Sequence, residues 1–146
     1  MKRVRLRRVS DRGASAVEFA LVAPVMLLLV FGIIDFGRLF NAQITLTEAA
    51  REGARAAAVT PGDTGRRSSA AHRRVNEVAG GTGIITVDGT STFCSRTPGP
   101  DEDAYVATSQ NFTWITPIGD LAGMFGSHGF GGTMPLHGKG VMPCRA

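Results

Sequence analysis

Residues 13–34 read GASAVEFALVAPVMLLLVFGII, and this run decides the architecture of the chain. From Phe19 to Ile34 sixteen residues carry no charge, and Glu18 and Asp35 bound them. With Ala14 to Val17 the mostly apolar stretch has about twenty-one positions, enough at 1.5 Å per residue to cross a ~30 Å hydrocarbon core. Lys2, Arg3, Arg5, Arg7, Arg8 and Arg12 precede it, and no Lys or Arg follows until Arg38. That asymmetry predicts a cytoplasmic N-terminus and an exported remainder. Pro24 lies inside the run, where a membrane helix tolerates it with a bend. A cleavable secretory signal peptide is the competing reading. It fits the basic arm and the apolar core, but no small-x-small cleavage site stands before Asp35. A buried core helix of a soluble protein is a further alternative, which the one-sided basic arm disfavours.

Charge is distributed accordingly. The chain has 146 residues and a net charge of +4; its first thirteen residues sum to +5, which leaves −1 from Ala14 onward. The basicity is local, and no aromatic residues interleave with it, so it reads as a membrane-flanking arm rather than a nucleic-acid surface.

Beyond the apolar run, residues 35–59 read DFGRLFNAQITLTEAAREGARAAAV, rich in alanine and free of proline until Pro61-Gly62-Asp63. The helix is therefore expected to continue from about Ala14 to Val59 and stop at that turn. Ala42, Leu46, Ala49, Gly53 and Ala57 recur at helical spacing, with Ala50, Ala54 and Ala58 beside them. Such a stripe lets another backbone approach closely. The protein's own globular part and neighbouring subunits are both candidates to cover it. Glu48 and Glu52 with Arg51 and Arg55 read as solvated helix charges. Thr64 to Ala79 reads as a second, polar helix with Ala71, Val75 and Val78 on its apolar edge, ended by Gly80-Gly81. Ile84–Val87, Ala104–Trp114 and a stretch near Met134–Met142 read as strands. The glycine-rich segment Gly119–Gly132 reads as a long loop, a tip or contact surface.

Cys94 and Cys144 both lie in the part expected to be exported, so a single disulfide is the natural reading, with two free thiols as the alternative. No catalytic group emerges. His72, His128 and His137 have no zinc spacing with each other or with the cysteines. The GTMPLHGKG of residues 132–140 lacks the offsets of a phosphate loop. Asp101-Glu102-Asp103 reads as a solvated turn rather than a cation site. No carboxylate is placed to orient His72 beside Ser68-Ser69. Neither a metal, nor a cofactor, nor a small-molecule substrate, nor a nucleic acid is expected.

Arg12 to Val59 resembles the TadE-like family, the minor pilins or pseudopilins of the tight-adherence (Flp-type) pilus and secretion machinery. The motifs are Arg-Gly before a short small-residue stretch, Val-Glu-Phe, an apolar run containing proline, Phe-Gly-x-x-x-Phe-Gly, and Ala-Ala-Arg-Glu-Gly-Ala-Arg. The resemblance implies cleavage by a membrane prepilin peptidase between Gly13 and Ala14, and a role for Glu18 and the adjoining Phe19 in processing or assembly. It implies other Tad/Flp pilins and the assembly platform in the inner membrane as partners. Phenylalanine follows Glu18 where major Flp pilins often have tyrosine, and the chain is much longer than theirs, which favours a minor, priming or tip subunit. With the cut that the resemblance implies, Glu18 has two readings. It pairs with the α-amino group of Ala14 on a neighbouring subunit, or it snorkels to the headgroups.

The expectation is thus an α+β protein shaped like a pilin lollipop. Residues 1–13 form a basic leader, 14–59 a transmembrane and stalk helix with its membrane part at about 14–35, and 60–146 an extracytoplasmic domain with a small antiparallel sheet. Its function is structural rather than enzymatic. An unprocessed single-pass anchor for a binding or adhesion module, with Phe125 and Phe130 in its contact loop, is the alternative.

Overall fold

Helix α1 (Arg12–Val59) runs without interruption for 48 residues, on the order of 72 Å, and passes through Pro24. It ends in front of Pro61, where Thr60 still donates its N–H to Ala56 O before Gly62 turns the chain at φ +127°. Helix α2 (Thr64–Val78) starts on an Asp63 cap whose side chain accepts the Arg66 N–H at 2.9 Å, and Gly80 follows its end at φ +70°. The computed structural model describes residues 12–80, 85–116 and 133–144. Residues 1–11 of the leader, His128 and the glycine-rich stretch with Phe125 and Phe130 lie outside the described residues.

Among the described residues three strands follow: β1 (Thr86–Val87), β2 (Asp103–Thr113) and β3 (Thr133–Pro143). They form an antiparallel sheet in the order β1-β2-β3, with Thr108 opposite Gly138 and Val106 opposite Gly140. The fold is α+β, a long apolar helix followed by a small antiparallel sheet and its companion helix.

The alternation of the strands determines where the core lies. Ala104, Val106, Thr108 and Phe112 of β2 and Leu136, Gly138 and Gly140 of β3 are buried on one face. That face lies on the distal half of α1, against Leu46, Ala49, Ala54, Ala57 and Ala58, with Ala71 and Val75 of α2 completing the cluster. The spacing between helix and strand is set by glycine. A Cβ on Gly138 would stand 2.6 Å from Leu46 O, and one on Gly140 2.4 Å from Ala50 O. Backbone therefore meets backbone, and Thr108 uses the close approach to donate its hydroxyl to Leu46 O at 3.1 Å. The glycines of the HGKG run serve strand–helix contact.

Cys94, in the loop before β2, and Cys144, just after β3, form a disulfide with a Cα–Cα distance of 5.8 Å. Cys144 N–H also bonds to Glu102 O, so the end of β3 is held twice. Glu52 corrects the picture of purely solvated charges on α1: besides Arg55 at 3.9 Å it takes Arg74 of α2 at 3.3 Å. A partly exposed pair of this kind contributes little energy, but it ties the two helices in register.

Candidate functional site

Two regions of α1 behave differently. Through the apolar run the helix stands clear of the rest of the protein: its most apolar window has no buried residue, and Phe19, Leu21, Val25 and Leu29 are all exposed. By length and composition this helix is able to cross a membrane. Gly13 and Ala14 lie in its first turn, and a Cβ on Gly13 would meet nothing within 4 Å. Among the described residues nothing in the packing therefore requires glycine there. Glu18 and Phe19 are exposed, one turn further on, and Glu18 makes no ion pair among the described residues.

From Asp35 onward the domain covers one side of the helix. Leu46, Ala49, Gly53 and Ala57 are buried and Ala42 is half-buried. The small-residue stripe is thus occupied within the chain. Val75 of α2 and Val106 of β2 meet at Gly53, where an added Cβ would lie 2.7 Å and 3.4 Å from their methyl carbons. Small residues here admit a strand and a second helix at once, as a stripe of this kind allows.

Asp35 is the residue whose place was least legible. It ends the apolar run in the sequence, yet it is 1 % exposed. Its carboxylate accepts the N–H groups of Ile115 at 3.4 Å and Thr116 at 3.2 Å, and the hydroxyl of Thr116. Arg38 adds an ion pair at 3.4 Å and reaches on to Thr113 O, with its guanidinium 5.2 Å from the Phe112 ring centroid. Trp114 stands edge-on to Phe36 at 6.1 Å and to Phe112 at 5.5 Å. Together these contacts fasten the end of β2 to the helix where the domain begins. Sequence reading missed the clamp because its two halves are 81 positions apart.

Two more polar residues have structural tasks. Arg67 of α2 is buried and donates to Ala57 O, Ala58 O and Gly62 O, so a cation satisfies the last carbonyls of α1 at the negative end of its dipole. Glu102, from the acidic turn, accepts the Ser95 N–H and hydroxyl and the Gly99 N–H. Those bonds hold its carboxyl below the ordinary glutamate range. They also order the loop that follows Cys94. His72 sits on the exposed side of α2 and turns its Nδ1 to Ser68 O at 2.8 Å.

Two grooves flank the ends of the domain. One of about 260 Å³ lies between α1 and β2 and is lined by Arg38, Asn41, Thr45, Gln110 and Phe112 among others. Another, of about 490 Å³, lies at the turn after α1 beside Arg67, Arg96 and Pro98. Among the described residues no group of three or more His, Cys, Asp or Glu is arranged to hold a metal. What the arrangement can do is present an apolar helix at one end and a disulfide-closed domain, bonded to it through Asp35, at the other.

Comparison with protein families locates that helix. Residues 13–55 match the family model described as TadE-like protein. Over that segment, about three tenths of the chain, it is similar to that family. The match begins at Gly13, runs through the exposed apolar stretch and the clamp, and ends about one turn before α1 does; α2 and the sheet lie beyond it. Comparison with curated proteins found no match, and comparison with solved structures found none.

Proposed function

We propose that the protein is a minor pilin or pilus-assembly subunit of a tight-adherence (Flp-type) system, processed between Gly13 and Ala14 and assembling through α1. The observation that carries this reading is the coincidence of the TadE-like match with a helix whose first half is apolar and uncovered. In the membrane the basic arm stays cytoplasmic and the domain is exported, which suits the disulfide. Cleavage leaves Ala14 as a new amino terminus and Glu18 as the fifth residue. A carboxylate at the edge of a hydrocarbon layer needs a partner, and the freed amine of a neighbouring subunit supplies one. The role is structural, through packing of subunits and contact with the inner membrane, the prepilin peptidase, other Tad/Flp pilins and the assembly platform.

Intact mass and N-terminal sequencing of the membrane-fraction protein test the processing step. With the prepilin peptidase present the chain is expected to begin at Ala14, and without it at the uncut N-terminus. Retention of Met1 in peptidase-positive cells refutes cleavage. Glu18→Ala is expected to leave membrane insertion intact and to impair assembly; unchanged piliation with that variant removes Glu18 from the mechanism.

A further inference from the structure

We propose that the lower end of the domain is seated in the lipid headgroup layer, with Phe36, Phe40, Trp114 and Ile115 as its contact with the bilayer. This rests on the reading of α1 as a membrane helix and adds where the domain stands relative to the lipid. The first argument is length. The uncharged run from Phe19 to Ile34 spans roughly 24 Å at 1.5 Å per residue; a ~30 Å hydrocarbon core is filled either by adding Ala14 to Val17, which draws Glu18 into the span, or by apolar surface beyond Ile34. The structure extends the apolar surface beyond it. Asp35 is removed from the outer surface by its bonds to Ile115 and Thr116, and Arg38 turns toward Asp35, Thr113 O and Phe112. With Asp35 buried and Arg38, whose side chain is 39 % exposed, turned to the domain side of the helix, Ile33, Phe36, Phe40 and Ile44 continue the exposed apolar stripe at helical spacing; they are 74 %, 47 %, 65 % and 58 % exposed. Measured from Phe19 to Phe40, the apolar face is about 33 Å long, which matches the core thickness.

The second argument is the domain's own contribution at that height. The clamp on Asp35 holds Trp114 and Ile115 beside the helix, and Ile115 is 69 % exposed. Trp114, the only tryptophan of the chain, packs edge-on against Phe36. Trp114 is half-buried with its Nε1 inside the domain, so what it offers beside the exposed Phe36 and Ile115 is the apolar part of its ring, an aromatic at the end of a membrane span. This contact is continuous with the lipid-facing surface of the helix, so lipid rather than a separate partner covers it. The domain is then held upright on the bilayer, joined to the helix by the Asp35 clamp.

The lone tryptophan makes the test direct. The full-length chain is reconstituted into vesicles whose lipids carry bromine at an upper or a deep acyl position. Flotation of the vesicles reports insertion of α1 separately from the position of the domain. Floated protein is expected to lose Trp114 emission with the upper-brominated lipid and much less with the deep one. Ile115→Asp, whose side chain lies outside the core, is expected to reduce that quenching while flotation is unchanged. Protein that floats but keeps its full emission with both lipids overturns the seating while leaving the membrane helix standing. Emission that ignores bromine and shifts instead with protein-to-lipid ratio also overturns it, and assigns this surface to a second copy of the chain. Failure to float refutes the membrane reading itself.

Discussion

Replacing Gly140 by alanine adds one methyl group where β3 lies on α1. The new carbon would stand 2.4 Å from Ala50 O, 2.5 Å from Ala50 C and 2.6 Å from Arg51 N. All three atoms are backbone of a helix turn, so no side chain can swing aside. Ordinary contact begins at 3.4 Å, so the strand must retreat by about 1 Å, enough to forfeit a quarter to a half of the dispersion energy across that contact. The retreat also strains the Thr108–Leu46 O bond, two register positions away. Overpacking of this kind costs at most about 3 kcal/mol in ordinary cases. The stiffer unfolded chain returns roughly 0.4–1 kcal/mol of it. A net loss of about 2 kcal/mol is expected, a fall in Tm on the order of 8–16 °C for a domain of this size. The assay is thermal unfolding of the full chain in detergent micelles, followed by near-UV circular dichroism and Trp114 fluorescence. Gly89→Ala is the control: a Cβ there meets nothing within 4 Å and the backbone is not left-handed, so its Tm should hold or rise slightly. Gly53→Ala should fall between the two, because the obstructing atom is a methyl of Val75 rather than backbone. If Gly140→Ala melts together with Gly89→Ala, the backbone-to-backbone contact does not hold the sheet on the helix.

Three further predictions concern the polar framework. Asp35→Ala removes the carboxylate that accepts from Ile115 and Thr116 and should cost about 3 kcal/mol, within the range for breaking a buried charged network; amide exchange at positions 115 and 116 should accelerate, and protection equal to wild type would remove the clamp. Cys94→Ser with Cys144→Ser opens a loop with a sequence separation of 50 and should lower stability by about 4 kcal/mol in the chain-entropy account, seen as a large drop in urea midpoint; an unchanged midpoint would make the bond dispensable. Glu102 has a folded-state pKa depressed by its bonds from Ser95 and Gly99, so its contribution is present above the ordinary glutamate value of 4.5 and is lost as pH falls through the lower folded value. Melting curves taken down through that window should therefore fall less steeply for Glu102→Gln than for wild type; parallel curves would show that the carboxylate contributes nothing.

Much of the framework was legible because the signals are local. The apolar run ends at charges, Pro61-Gly62-Asp63 stops α1, Asp63 and Gly80 bound α2, and alternation over 104–114 marks the central strand. The first strand is shorter than its apolar letters suggest, Thr86–Val87 alone within the described residues. Two readings made from local pattern changed in meaning. Glu52 was read as a solvated charge of one helix, yet it bridges to α2. Glu102 was read as part of a solvated acidic turn, yet it holds the backbone after Cys94.

The sequence by itself determined the long helix, its apolar half and basic flank, the second helix, the strands and the TadE-like character of residues 13–55. Each of these depends on period, length and end residues within one segment. Tertiary structure alone decided which side of α1 the domain occupies, why Gly138 and Gly140 are glycines, and where Asp35, Arg38 and Arg67 point. Those outcomes depend on atoms brought together from far along the chain: Thr108 reaches Leu46 across 62 positions, and Thr116 reaches Asp35 across 81. A hydrogen bond or a close backbone contact acts over about 3 Å, and the sequence records the partners without recording that distance.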